Sequence, residues 1–221
     1  MSETIPAATV VTLRETETGV EVLMLCKNSK INYGCMWVFP GGRIDEEDYS
    51  SDKKDILFAA RNAAAREAHE EASIKLLPEK LHFFAHWTTP NTRPKRFSTW
   101  FFMGKVADDQ AVIIDGGEIH DFVWQSPQNM IKGHTEGEVE LAGPTYITLT
   151  LLQGVESYEA AIAEVSKEEP FYYSPNVVMV EGGRINLYQG DAGFETKDVD
   201  APGKRHRLWA NKTGGWRYEK N

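Results

Sequence analysis

One stretch of the sequence, AAREAHEEASI at Ala64–Ile74, is more informative than any other. It closes a run, Ile56–Ile74, that is rich in the strong helix formers Ala, Glu and Arg. In a helix, Glu67, Glu70 and Glu71 stand at positions i, i+3 and i+4, so their carboxylates leave one face. Three like charges this close repel one another unless a cation lies among them. The spacing therefore predicts a site for a hard divalent cation, against the alternative of a solvated acidic helix face.

Small residues upstream predict what this helix packs against. Ala60, Ala63 and Ala64 precede the acids by about one turn and leave room for another backbone. The buried strand pattern of Trp37-Val38-Phe39 ends at Pro40-Gly41-Gly42, where the glycines permit backbone conformations that other residues avoid. We expect this Pro-Gly-Gly loop to lie beside the helix.

Gly42 and the run Arg66–Ile74 together resemble the Nudix box, whose pattern is G-x5-E-x7-R-E-U-x-E-E-x-G-U with U aliphatic. The sequence departs from this pattern at two places. Asp48 stands where the first Glu is expected, and the 17 residues 49–65 then occupy a place that holds seven in the pattern. Ser73 replaces the closing glycine, and we expect it to end the helix by bonding to the backbone.

The box covers residues 41–74. The sequence segments around it resemble those of one branch of the family, the coenzyme A diphosphatases. The loop insertion is one such feature. The other matching segments are Trp37–Asp45, Pro94–Phe102, Gly117–Ile119 ahead of Trp124, and Pro144-Thr145.

The resemblance implies the fold class. It is an α/β architecture, the Nudix fold, with a mixed β-sheet sandwiched between α-helices. We expect a single domain over residues 1–221, with a β-rich C-terminal extension at about 170–221 packed on the same domain.

It also implies an activity, the Mg²⁺- or Mn²⁺-dependent hydrolysis of a nucleoside diphosphate linked to another group. The metal would be held by Glu67, Glu70 and Glu71, where it would neutralise the diphosphate and make a bound water a better nucleophile. Glu118, in a Gly-Gly-Glu loop before a strand, is the candidate general base, although an exposed loop carboxylate is the alternative. The residues with a structural role in the box are Gly41, Gly42, Arg66 and Asp48.

Cations outside the box suggest how a substrate is held. Arg93, Lys95 and Arg96 precede Phe97 in a loop between two aromatic strands, and such a set suits phosphate and a nucleotide base. Coenzyme A carries a ribose 3′-phosphate that needs such a contact. A solvated loop is the alternative, and a second cluster, Lys204–Arg207, reads as a surface ion-pair region.

The remaining pattern is that of alternating strands and short helices. The predicted strands are Ala7–Leu13, Val20–Cys26, Leu81–Trp87, Phe97–Val106, Ile119–Gln125, Asn176–Val180, Arg184–Tyr188, His206–Trp209 and Gly215–Tyr218. Pro127 opens a short helical or irregular stretch, and helices are predicted from Pro144 to Leu152 and over Ser157–Lys167. The acid-rich segment Ile44–Asp55 reads as a solvated loop.

Composition narrows the partners and the compartment. The 24 basic and 33 acidic residues give a formal charge of −9, which argues against a general nucleic-acid or membrane-surface binder. No apolar run approaches the roughly 20 residues of a transmembrane helix, and the first residues lack a signal-peptide pattern, so a cytoplasmic protein is expected. Cys26 and Cys35 read as free thiols.

Other readings stay open at this point. His82 and His86 have the spacing of a helical zinc pair but lie in a strand pattern, where they read as core or edge residues. ADP-ribose, NADH and nucleotide sugars are alternative substrates. A Nudix-like binding or regulatory module with weak or no turnover is the non-enzyme alternative, and a homodimer is neither indicated nor excluded.

Overall fold

The structure is a computed structural model that describes residues 3–28, 35–50, 55–107, 110–114, 116–212 and 215–221. The side chains of Asn28 and Cys35 lie outside this description. The helices are α1 (Ile56–Ala72), α2 (Pro127–Glu136), α3 (Gly143–Leu151) and α4 (Tyr158–Val165), with 3₁₀ turns at Glu46–Asp48 and Pro78–Lys80.

The strands form two sheets. The strands of the first sheet are β1 (Ile5–Thr16), β2 (Gly19–Asn28), β3 (Cys35–Val38), β4 (Gly41–Arg43), β5 (His82–Thr88), β6 (Phe97–Lys105), β7 (Ile119–Gln125), β8 (Glu140–Leu141) and β9 (Phe171–Tyr173). The strands of the second are β10 (Asn176–Val180), β11 (Gly183–Leu187), β12 (His206–Asn211) and β13 (Arg217–Lys220).

The first sheet is mixed, as predicted. Its order is β8-β3-β2-β1-β6-β5-β9, with β4 pairing β1 and β7 pairing β2. The pairs β1–β6, β3–β8 and β5–β9 are parallel, and the others are antiparallel. The second sheet is an antiparallel meander, β10-β11-β12-β13, which confirms the β-rich C-terminal extension.

Helices cover both faces of the mixed sheet because its central strands are apolar on both sides. In β1, Val10 joins a cluster with the alanines of α1, whereas Val11 and Leu13 join another with residues of α2, α3 and α4. Alternate side chains of a strand point to opposite faces, so one buried strand serves two helical layers. The predicted sandwich is therefore present.

The second sheet shares the core on the α3 side. Tyr188 and Leu208 are buried in the same cluster as Val11 and Leu13. Trp87 of β5 stacks on Tyr173 of β9, with ring centroids 3.8 Å apart, and Tyr188 meets Trp87 edge-on.

A buried ion pair joins Arg207 of β12 to Asp191 in the segment between β11 and β12, so Arg207 is not the surface residue expected from the Lys204–Arg207 cluster. Arg207 donates to both carboxylate oxygens of Asp191, at 2.7 and 2.6 Å, and neither side chain is more than 1% exposed. Burial disfavours the charged carboxylate, but the hydrogen bonds from Arg207 and from the His206 and Gly193 backbone outweigh it and lower the pKa of Asp191 to about 2.

Two expectations need correction. The segment Ile44–Asp55 is not simply a solvated loop, because its 3₁₀ turn buries Asp48; residues 51–54 lie outside the described part. Cys26 is disulfide-bonded rather than a free thiol. Antiparallel pairing of β2 and β3 sets Cys26 opposite Trp37 and Asn28 opposite Cys35, so the two cysteines lie on neighbouring strands.

Candidate active site

The α1 helix fixes the position of the predicted acidic face. Its N-cap, Asp55, accepts hydrogen bonds from the Leu57 and Phe58 backbone, each at 3.0 Å. Alanines form its buried face: Ala59, Ala60, Ala63, Ala64, Ala65, Ala68 and Ala72. Because these side chains are small, the helix axis comes close to the mixed sheet, and the carboxylates emerge beside the sheet rather than far above it.

Ser73 ends the helix by a different route from the one expected. It adopts the left-handed conformation, with φ 58°, and its backbone N–H contacts the Ala68 and His69 carbonyls. This is the conformation that glycine supplies in most helix C-terminal caps. Ser73 thus takes the conformation of the missing box glycine, at the energetic cost of a side chain in that region.

The two glycines after Pro40 are required by close approach. A Cβ on Gly41 would lie 2.5 Å from the Ala8 carbonyl oxygen, and a Cβ on Gly42 would overlap the Glu67 carboxylate. The Gly41 backbone N–H donates to Glu71 Oε2 at 2.9 Å. The Pro-Gly-Gly segment therefore lies against α1, although Gly41–Arg43 forms the short strand β4 rather than an irregular break.

Arg66 ties the loop before α1 to the helix. It donates to both oxygens of buried Asp48, through Nε at 3.1 Å and Nη2 at 2.9 Å, and to the Arg43 carbonyl at 3.0 Å. Its Nη1 lies 3.0 Å from Glu67 and 3.1 Å from Glu70. The hydrogen bonds that Arg66 donates to Asp48 outweigh the effect of burial and raise the pKa of Arg66 above its ordinary value, so the guanidinium stays charged.

The carboxylates differ in their surroundings. Glu71 is buried, and burial raises its pKa to about 7, although the Gly41 N–H and Lys27 oppose this shift. Glu67 is half-buried, and burial likewise raises its pKa in spite of Arg66. Glu70 is exposed. Negative charge on this face is therefore only partly compensated by the two cationic side chains nearby.

Lys27 of β2 links the helix to Glu118. Its Nζ is 3.5 Å from Glu71 Oε1 and 2.7 Å from Glu118 Oε2. Burial lowers the pKa of Lys27, but the hydrogen bond to Glu118 and the charge of Glu71 outweigh burial and raise it overall. The structure thus brings Glu118 to the glutamates of α1, and Lys27 is a site residue that no motif in the sequence indicated.

A divalent cation suits this donor set in its chemistry. Three carboxylates on one helix face supply the oxygen ligands that Mg²⁺ and Mn²⁺ prefer. In the part of the chain that the structure describes, no three His, Cys, Asp or Glu side chains are already clustered as a metal site. Arg66 and Lys27 contact the carboxylates instead, so metal binding would require these ion pairs to rearrange.

A cleft of about 1640 Å³ runs from these acids to the C-terminal sheet. Of the predicted substrate residues, Arg93, Lys95 and Phe97 line it, and Lys95 Nζ lies 5.1 Å from the Phe97 ring centroid. Arg96 does not line it. Arg96 is buried, and its Nε donates to the Thr89 carbonyl at 3.0 Å.

The C-terminal sheet supplies cleft residues that sequence reasoning did not place there. They include Arg184, Asn186, Tyr188, Lys212 and Trp216. Arg184 and Asn186 alternate along β11 and Tyr188 continues the alternation one residue beyond it, and this spacing is the signal that would have placed them on one face. His86, by contrast, is buried against Trp100 and hydrogen-bonds Ser98, away from the acids of α1.

Comparison with known proteins also separates the C-terminal sheet from the rest of the chain. The NUDIX domain family model matches residues 3–142, more than half of the chain. The chain belongs to the Nudix domain family. The match includes α1 and the cleft residues up to β8, and it ends before the C-terminal sheet.

Solved structures confirm the Nudix fold. A NUDIX hydrolase from Alicyclobacillus acidocaldarius superimposes with a TM-score of 0.62 at 21% identity, covering 74% of this chain and 97% of that one. The NUDIX domain of NrtR from Shewanella oneidensis, solved with ADP ribose, gives a TM-score of 0.52 at 14% identity, covering 68% and 86%. At these identities the likeness concerns the fold alone.

A curated relative matches over a similar region. Nudix hydrolase 7 of Caenorhabditis elegans is 24% identical over 144 residues, which cover 65% of this chain and 47% of that protein. The chain thus spans about half the length of this relative. In the described residues, no helix is long and apolar enough to cross a bilayer.

Proposed function

We propose that this protein is a Mg²⁺- or Mn²⁺-dependent diphosphatase that hydrolyses a nucleoside diphosphate linkage. The observation that carries the proposal is the face of α1, where Glu67, Glu70 and Glu71 line one end of a large cleft. Membership in the Nudix family supports it. A bound divalent cation would offset the negative charge of the diphosphate and of the carboxylates.

The other residues have proposed roles that follow from their contacts. Arg66 and Asp48 hold the loop before α1, and Gly41 and Gly42 allow β4 to lie against Glu67 and Glu71. Glu118 accepts the proton of the attacking water, held toward the cleft by Lys27. The part of the cleft lined by Arg93, Lys95 and Phe97 receives the nucleotide.

For the substrate we propose coenzyme A or acyl-coenzyme A, cleaved to 3′,5′-ADP and (acyl-)phosphopantetheine. The loop insertion before α1 supports this choice, as do the sequence segments that resemble the coenzyme A diphosphatase branch. Arg93 and Lys95, which line the cleft, suit a substrate with a phosphate beyond its diphosphate.

A substrate panel with one matched pair of variants tests the activity. Phosphate-containing products are measured with coenzyme A, ADP-ribose, NADH and a nucleotide sugar, each with Mg²⁺, with Mn²⁺ and with chelator. Glu70→Gln keeps the side chain's size and removes its charge, so we expect turnover to fall on the order of 100-fold or more. Glu79→Gln, at an exposed position outside the cleft, should retain the wild-type rate.

Three results would contradict the proposal. Near-wild-type turnover of Glu70→Gln would show that the glutamate face of α1 does not take part in the reaction. Hydrolysis that continues unchanged in the presence of chelator would show that the reaction needs no metal ion. A folded wild type that binds these nucleotides and turns none over would favour the binding or regulatory module.

A further inference from the structure

Polar and aromatic side chains of the C-terminal sheet form one wall of the cleft. Arg184 and Asn186 alternate along β11, Tyr188 follows directly after the strand, and all three line the cleft. Ile185 and Leu187 between them are fully buried on the opposite side. The sheet is therefore placed as a wall of the cleft and lies outside the region matched by the family model.

Arg184 is held in this wall by packing and pairing. In the ladder it stands between Met179 of β10 and Ala210 of β12, two cleft-lining residues. Its guanidinium carbon lies 6.0 Å from the Trp216 ring centroid, and the residue is half-buried. A side chain flanked in this way presents its charge in a restricted direction.

Arg93, in the loop between β5 and β6, lines the same cleft as Arg184. Burial and the positive charge of Arg93 both lower the pKa of Arg184 from its ordinary value. Among the residues that the structure describes, neither arginine has a carboxylate ion-pair partner. Two guanidinium groups that line one cleft without such a partner create a local positive potential in a chain whose net charge is −9.

We propose that Arg184 and Arg93 form an anion subsite that binds a phosphate monoester of the substrate, distinct from the diphosphate that is cleaved. Guanidinium groups suit such a ligand because their N–H groups match phosphate oxygens in pairs. The inference rests on the proposed function for its assignment to a substrate, and it makes the C-terminal sheet the element that selects a phosphorylated nucleoside diphosphate.

Binding of mononucleotides, without turnover, tests the subsite. Titration calorimetry of wild type with 3′,5′-ADP and with 5′-AMP should show a preference for 3′,5′-ADP of about 10- to 100-fold, the worth of one to two charge-assisted contacts. Arg184→Ala should reduce this preference to within about threefold. Arg217→Ala, an exposed arginine of β13 that does not line the cleft, should preserve it.

A second variant covers the case in which Arg184→Ala fails to fold. Arg93→Ala alters an exposed loop residue and should lower the same preference with an unchanged melting temperature. Absence of a preference in wild type, or its survival in a folded Arg184→Ala or Arg93→Ala protein, would overturn the subsite.

The subsite and the proposed activity can fail separately. An active diphosphatase whose ratio of kcat/KM for coenzyme A over 3′-dephospho-coenzyme A is unchanged by Arg184→Ala overturns the subsite alone. A wild type with no turnover but with an Arg184-dependent preference for 3′,5′-ADP overturns the activity and supports the subsite.

Discussion

At the scale of single residues, Lys27 and Arg66 shape the acidic face of α1. Lys27 contacts Glu71 and Glu118, and Arg66 contacts both Glu67 and Glu70 of α1. Arg66 is also fixed by buried Asp48, whereas Lys27 has a flexible side chain that is about two-fifths exposed. We therefore expect Lys27 to yield its position to a metal or a substrate more readily than Arg66.

Glu118 is the first residue whose role can be measured. Replacement by Gln keeps its size and removes its capacity to accept a proton, so kcat should fall by about 10²–10⁴-fold. Metal affinity should change little, because the glutamates of α1 are intact. Steady-state kinetics and metal titration of Glu118→Gln measure both quantities.

Glu181→Gln is the matched control, since Glu181 is exposed in the turn between β10 and β11 and does not line the cleft. It should behave as wild type. If kcat fell less than threefold in Glu118→Gln, Glu118 would be an exposed loop residue without a catalytic role. Lys27 would then position Glu71 alone.

The sequence predicts a site residue well where the periodicity of its helix or strand determines where the side chain points. Glu67, Glu70 and Glu71 were placed on one face because a helix repeats every 3.6 residues. Arg96 was grouped with Arg93 because they are close in the chain, yet the irregular loop points Arg96 into a buried bond with the Thr89 carbonyl. Adjacent residues in a loop have no shared direction, so only the fold separates them.

At the scale of elements, the end of α1 carries a small, measurable strain. Ser73 has φ 58°, a region in which a Cβ is unfavourable. The strain is tolerated because the Ser73 N–H caps the helix and Ile74, fully buried, anchors the chain that follows. The box therefore retains its geometry without its glycine.

Replacing Ser73 by Gly should relieve this strain. We expect a gain of about 0.5–1 kcal/mol in the free energy of unfolding, less the entropy that glycine adds to the unfolded chain. The melting temperature should rise by about 1–4 °C. Thermal unfolding followed by circular dichroism measures the change.

Ser157→Gly provides the opposite case. Ser157 is the N-cap of α4 with φ −146°, and its side chain accepts from the Ala160 N–H at 3.1 Å. Its replacement should lower stability by a few tenths of a kcal/mol. If Ser73→Gly lowered the melting temperature as well, the left-handed conformation would not be the source of strain.

Elements with strong local patterns were predicted well, and those made by long-range pairing were not. The α1 prediction differs from the structure only at its last residues, and the β1–β2 hairpin is confirmed with longer strands. The strand β4 was predicted as a break because Gly-Gly has no strand propensity. Its extended form comes from antiparallel pairing with β1, which lies some 30 residues away in the chain.

At the scale of the whole molecule, the C-terminal sheet and the family-matched region share one apolar cluster. Leu208 of β12 is fully buried in it, together with Leu13 of β1 and Tyr146 of α3. The aromatic stack of Trp87 on Tyr173 adjoins Tyr188, so β5, β9 and the residue after β11 are in direct contact. Packing of this kind is expected within a domain rather than across a mobile interface.

The single-domain prediction is tested by destabilising the C-terminal sheet and observing the helices. All four helices precede Ser166, so the helical circular dichroism signal reports the region outside β10–β13. Leu208→Ala should cost about 2–5 kcal/mol and lower one cooperative helical transition by about 4–20 °C, because loss of the shared core destabilises both parts together. Met179→Ala, at a largely exposed position of β10, should leave the transition unchanged. The chain would instead consist of two independently folding units if the helical transition of Leu208→Ala stayed at the wild-type temperature while tryptophan fluorescence, to which Trp209 and Trp216 contribute, gained a separate transition at a lower temperature.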